Sequence, residues 1–185
     1  MHDHHLLHRG LRAEGVIITH EQVAKLADVG LVEKTGTSSK LKGSHNAPES
    51  CRGATQGTPV DCWGLGILLH ELYQGRPDIM DCRSFPPKQL PGTPSGLRHM
   101  EISVRDAMEG LLQFSPSSRW TVKAIRHSAW FKEVAVAPEM SRSRLTDEFE
   151  GRRTLRRYLS RAPLIPACAL LVEDFDEGLK HMTLG

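Results

Sequence analysis

From Trp63 to Tyr73 the sequence places Trp63, Leu65, Ile67, Leu68, Leu69, Leu72 and Tyr73 in one run, with the small residues Gly64 and Gly66 between them. A helix over this run is apolar almost all round, so it is stable only where other elements cover it on every side. The chain must therefore be built around a central helix, and candidates for covering it lie on both flanks. Val16-Ile17-Ile18 and Val23 to Ala27, joined by the polar Thr19-His20-Glu21-Gln22, read as a β-hairpin. Residues 32 to 60 are dominated by Gly, Ser, Thr, Pro and Lys with no apolar period, which predicts a long irregular segment. Pro77, Pro86, Pro87, Pro91 and Pro94 mark 75 to 98 as a connecting loop. Further on, Val104, Ala107, Met108, Leu111 and Leu112 share one helical face. Ser103 with Asp106 resembles a capping box at its start, and the helix should stop near Ser115-Pro116. A last short helix is expected from about Thr121 to His127, ahead of Trp130-Phe131.

Composition bounds the rest. At 185 residues the chain fits one domain plus a tail, and 24 Lys+Arg against 22 Asp+Glu argue against a strongly basic nucleic-acid binder or an acidic disordered chain. Nucleic acid is not expected as a partner. No apolar run approaches the ~20 residues of a bilayer span. Met1 to Arg9 are rich in His and lack a signal-peptide apolar core, so a cytoplasmic location is expected. Cys51, Cys62, Cys82 and Cys168 are scattered without a C-x-x-C pair, which suggests reduced thiols rather than a disulfide framework or a zinc site. His2, His4, His5 and His8 lack Cys or carboxylate companions at fixed spacing, so a frayed helix end is the expectation there rather than a metal cluster.

Taken in order, three segments resemble the catalytic loop, the metal-binding motif and the end of the activation segment of eukaryotic Ser/Thr protein kinases. They are His8-Arg9-Gly10-Leu11-Arg12-Ala13-Glu14-Gly15-Val16-Ile17, Lys25-Leu26-Ala27-Asp28-Val29-Gly30-Leu31 and Ala47-Pro48-Glu49. Asp61 to Gly66 with His70-Glu71-Leu72 and Gly75-Arg76-Pro77 resemble the buried central helix of the kinase C-terminal lobe and its exit. Leu111 to Arg119 and His127 to Phe131 resemble the lobe's last two helices. The resemblance covers roughly residues 1 to 131, leaving 132 to 185 as a tail, basic then acidic and partly helical. It implies a mainly α, α+β kinase-like fold: a C-terminal lobe with a short β-hairpin and without its N-terminal lobe. An exposed apolar face is then expected on the helix Trp63 to Tyr73.

The resemblance also assigns chemistry. Phosphoryl transfer rests mostly on positioning and electrostatics, so each motif residue has a definable task. The family's base, an Asp that accepts the substrate hydroxyl proton, is here Gly10, and losing a general base costs ~10² to 10⁴ in rate. Gly15 replaces the Asn that holds a second magnesium, and Arg12 replaces the Lys that contacts the transferred phosphate. Asp28 matches the remaining magnesium ligand, a weak metal site alone, and Ile17 matches the floor of the adenine pocket. The loop His8, Arg9, Gly10, Arg12, Gly15 is thus degenerate. No cofactor is expected to bind tightly, and Mg-ATP is the one implied if any. Glu49 and Arg119 match a buried structural ion pair, and Asp61 a helix-start carboxylate that accepts N–H bonds from the catalytic loop. Arg9 matches the Arg that pairs with a phosphorylated residue of the activation segment, where Thr37, Ser38 and Ser39 are candidate phosphosites. Gly43 to Glu49 is two residues shorter than the family's peptide-docking pattern.

The expectation is a pseudokinase-like lobe, catalytically inactive, that binds protein partners as a regulatory scaffold. The alternatives are a Ser/Thr kinase using Mg-ATP in a full-length form, and a truncated product without function. The Arg-rich stretch from Arg142 to Arg161 suits an amphipathic helix, carrying Leu145, Phe149, Leu155, Tyr158 and Leu159, that docks on the lobe or a partner; acidic partners, RNA or lipid are the alternatives.

Overall fold

A computed structural model describes residues 1–18, 24–27, 31–41, 46–74, 101–135 and 153–154. The apolar run becomes α2 (Pro59–Gln74), which starts on a proline whose missing N–H costs nothing in a first turn. Every residue of α2 from Val60 to Leu72 is buried. The expected exposed apolar face is therefore not found. Among the described residues the exposed large hydrophobics are Leu31 and Ile102, because Leu11, Ala13 and the helices α3 (Ile102–Leu111) and α4 (Val122–Arg126) cover α2.

The hairpin forms as read: β2 (Val16–Ile18) pairs antiparallel with β3 (Ala24–Leu26), with Val16 opposite Leu26 and Ile18 opposite Ala24. Val16 and Ala24 pass their side chains into the same core as α2. A second, two-stranded sheet joins β1 (Leu6–Leu7) to β4 (Glu33–Lys34), with Leu7 opposite Glu33. The segment 32 to 60 is thus not wholly irregular. Besides β4 it contains α1 (Pro48–Arg52), which has proline in its first turn and ends on Gly53 at φ 71°, a left-handed position that favours glycine. Its polar composition hid these elements because they are too short to show a period.

The helix α3 begins on Glu101 without a side-chain cap. The Ser103-Asp106 capping box does not form, because Ser103 Oγ instead donates to Glu133 Oε2 at 2.6 Å, tying α3 to α5 (Ala129–Ala135). The helix ends at Leu111, earlier than expected. At α4 the reading holds, and Thr121 Oγ1 caps it by accepting from Ala124 N at 3.1 Å. Trp130 and Phe131 close the bottom of the core edge to face, and Trp130 Nε1 donates to Tyr73 Oη at 3.2 Å.

In the tail, Arg153–Thr154 form β5, antiparallel to β2 with Thr154 opposite Ile17. At these two residues the chain is a strand rather than the expected amphipathic helix, since the free edge of β2 offers backbone partners that a helix does not use. The rest of that stretch, and the loop 75 to 98, lie outside the described residues. Cys62 is a free buried thiol whose pKa burial pushes up to about 12, whereas Cys51 is disulfide-bonded, against the expectation of four reduced thiols. No helix among the described residues is long and apolar enough to cross a membrane.

The packing around α3 makes one position sensitive. A Cβ at Gly110 would press into the indole ring of Trp120, a rigid neighbour that cannot swing aside. Gly110→Ala is expected to destabilise the fold by about 1–3 kcal/mol, the usual range for overpacking, measured as a lower midpoint in urea unfolding.

Candidate functional site

The site is assembled on the first turn of α2. There Asp61 Oδ1 accepts from Arg9 N at 2.7 Å, and Oδ2 accepts from His8 N at 2.9 Å and lies 2.8 Å from His2 Nε2. A helix N-terminus favours a carboxylate, and three donors satisfy one that is almost fully buried. His2 sits in a 3₁₀ turn, His2–His4, so the chain's start is held on the core rather than frayed. Arg9 has φ 65°, a left-handed backbone that costs a non-glycine residue about 1–3 kcal/mol. The two Asp61 bonds to His8 N and Arg9 N fix that turn.

The turn directs the Arg9 side chain toward β4 and the segment after it. Arg9 Nη1 pairs with Glu33 Oε1 at 2.9 Å, and Nη2 donates to Ser39 Oγ at 2.6 Å. Thr37 Oγ1 donates to the other oxygen of Glu33. The Thr37 hydroxyl first, and then Arg9, hold the Glu33 carboxyl below the usual carboxylate range. Gln56 fastens the same segment from behind, with Nε2 donating to Ser39 O at 2.6 Å and its backbone N to Thr37 O at 2.8 Å. Of the three candidate phosphosites, Ser39 lies on Arg9, Thr37 on Glu33, and Ser38 is exposed.

The remaining loop residues fall as follows. His8 is buried; its Nδ1 accepts from Gly10 N at 3.3 Å while Nε2 donates to Ala27 O at 3.1 Å, so its tautomer follows from its partners. That bond holds the end of β3 just before Asp28, which lies outside the described residues together with Val29 and Gly30. A Cβ on Gly10 would meet the end of the Leu31 side chain at 3.2 Å and His8 Nδ1 at 3.9 Å. Arg12 is exposed and precedes a 3₁₀ turn, Ala13–Gly15, in which Gly15 is buried. Ile17 is half-buried in β2. Among the described residues no group of three or more His, Cys, Asp and Glu side chains is placed to hold a metal.

Between the loop and α1 lies a cavity of about 310 Å³, lined among others by Arg9, Gly10, Arg12, Leu31, Lys40 and Asp61. The start of α2, whose Val60, Asp61 and Gly64 also line it, is held from the other side by Arg119. Arg119 Nη1 donates to Glu49 Oε1 at 2.6 Å and to Pro59 O at 2.6 Å, Nη2 to Glu49 Oε2 at 3.1 Å, and Nε to Gln113 O at 3.0 Å. The guanidinium also stands over Trp63, 5.1 Å from the ring centre. This one side chain joins α1, the start of α2 and the exit of α3. Sequence reasoning missed Glu33 and Gln56, polar residues in a segment without periodicity; the acid a few residues after Asp28 was the only available signal for the first.

A family model described as the protein kinase domain matches residues 1–131. A human protein named cAMP-dependent protein kinase catalytic subunit PRKX is 30% identical over 147 residues, 72% of this chain and 40% of that protein. Serine/threonine-protein kinase PLK4 of Aedes aegypti is 28% identical over 84% of this chain and 20% of its own length. An Aurora kinase of Eremothecium gossypii is 28% identical over 72% of this chain and 38% of its own. The chain spans less than half the length of these relatives.

Two measurements test the geometry. Glu49→Ala leaves the Arg119 charge buried without its carboxylate and is expected to cost about 3–5 kcal/mol in chemical unfolding. For Glu33 the sign follows from its lowered value: the folded state holds the carboxylate ionised where the unfolded chain takes up a proton. Its contribution is full above the unfolded value and is lost as pH falls through the lower, folded one. Amide exchange across 33–39 should therefore speed up on acidification in the native chain, and Glu33→Gln should show fast exchange already at neutral pH.

Proposed function

The chain belongs to the protein kinase domain family, and on that premise we propose that it is a non-catalytic member whose lobe acts as a protein-binding, regulatory scaffold. The observation that carries this reading is the identity of two positions in one loop. Gly10 stands where the family has its catalytic base and Gly15 where it has a magnesium ligand, and neither glycine has a side-chain oxygen. The donor set therefore does not fit a pair of magnesium ions with a nucleotide, and no phosphoryl-transfer step is assigned to these residues. Arg12 retains a cation near the position of transfer but cannot take the hydroxyl proton.

The scaffold around those glycines supports the other half of the proposal. Asp61 with three donors fixes the turn at Arg9, the Glu49–Arg119 pair ties α1 to the helices, and the Arg9–Glu33 contact holds the segment that begins at β4. Substitutions that remove chemistry while keeping the framework suit a module selected for its surface. On this reading Ser39 is the phosphosite of the three candidates, because a phosphate on its Oγ would fall beside the Arg9 guanidinium. Glu33 already occupies part of that guanidinium, so the segment is held without modification and phosphorylation would redistribute an existing contact.

The test is transfer of labelled phosphate from ATP to a generic basic protein substrate, with Asp28→Ala as the matched control. Equal background incorporation by the two proteins is the expected result. Incorporation by the native chain above that control would end the non-catalytic reading.

A further inference from the structure

We propose that the outer edge of β2 is a strand-addition site for an extended segment of a partner protein, and that the chain's own Arg153–Thr154 is its resident, displaceable occupant. The proposal deepens the scaffold reading and rests on it in one respect, that the displacing strand is the protein ligand of a binding module.

A sheet edge presents unpaired N–H and C=O groups, and these recognise an extended backbone in the right register. β2 has β3 on one side and β5 on the other, with Ile17 opposite Lys25 and Thr154, and Ile18 opposite Ala24 and Arg153. The two neighbours are not equivalent. β3 follows β2 closely in the sequence and pairs along all three residues of β2, whereas β5 comes from the tail and pairs along two. A two-residue pairing closed over so long a stretch of chain has few bonds to offset the entropy of closure. It opens more readily than the hairpin, and the edge it leaves is then free for another strand.

The place of the edge gives its occupancy a consequence. β5 also packs against the 3₁₀ turn Ala13–Gly15, which closes the loop that carries Gly10. Gly15 O accepts from Ala27 N at 2.7 Å, and Ala27 O accepts from the buried His8 Nε2 at 3.1 Å. A strand on this edge therefore rests on a turn that is tied to the centre of the site. The resident strand also defines the chemistry of its competitor. Thr154, a β-branched residue suited to a strand, holds the register position opposite Ile17. The partner segment is extended, free of proline at that position, and carries a β-branched residue there.

The experiment uses the whole chain and two measurements, amide exchange by NMR and fluorescence anisotropy. Thr154→Pro removes a strand N–H and cannot continue the pairing. Thr146→Pro, in the same tail but outside β5, is the control. Exchange across 16–18 is expected to quicken at least about tenfold in Thr154→Pro, while exchange across 60–72 and the whole Thr146→Pro profile stay native. The anisotropy probe is a labelled peptide of residues 149–159, and its twin carries Thr154→Pro and keeps every charge. The probe is expected to bind the Thr154→Pro chain at least about tenfold more tightly than the native chain, whose own tail holds the edge at high effective concentration. The twin should bind neither. Unchanged exchange across 16–18 would overturn the tail's place on the edge. Equal binding of probe and twin, or none by either at about millimolar peptide, would overturn the site for a partner strand. A native chain that is dimeric by light scattering, and monomeric as Thr154→Pro, would overturn the intramolecular occupant. The transfer assay tests the scaffold reading separately, since activity there ends that reading and leaves the exchange result standing.

Discussion

The carboxylate of Asp61 is the point on which the other contacts depend. It brings the strained backbone at Arg9, the chain's first turn and the start of the central helix to one place. A buried anion needs donors on every side, and the loop needs an acceptor to hold a left-handed arginine. Each requirement is met by the other. Because the Arg9 backbone is fixed there, its guanidinium has one direction in which to leave, and Glu33 and Ser39 are found along it.

Arg119 plays the corresponding part lower in the molecule. Its side chain is fully buried and satisfied by a carboxylate, two backbone carbonyls and an indole face. A short helix such as α1 has too few backbone bonds of its own to be stable in isolation. The pair with Glu49 ties it to the start of α2 and to the chain leaving α3.

Much of the frame was legible. The hairpin could be read from two apolar runs around a polar loop, and α2 from a run too apolar to face water. At α4 the short helix was read within a residue at each end, and Thr121, read as its first residue, turned out to be its cap. The candidate residues Asp61, Glu49 and Arg119 stood at motif positions, and the geometry brings the last two together across 70 residues. What could not be read was decided by competition between partners. Ser103 had both a local backbone and a distant Glu133 available, and the distant carboxylate took it. Arg153–Thr154 suited a helix by pattern but found the edge of β2. Glu33 carries no periodic signal because its value lies in where β4 places it against Arg9.

By itself the sequence determined that a wholly apolar helix must lie at the centre, that a kinase-type loop precedes it, and that this loop has glycine at Gly10 and Gly15. Those are facts of residue identity and period, and they need no folding to be true. Only the tertiary structure decided which charges meet. Arg9 could have paired with any acid within reach; the β1–β4 register selects Glu33, and the turn held by Asp61 selects the direction. Charge pairing depends on distances of a few ångströms between residues far apart in the chain, and folding alone sets such distances.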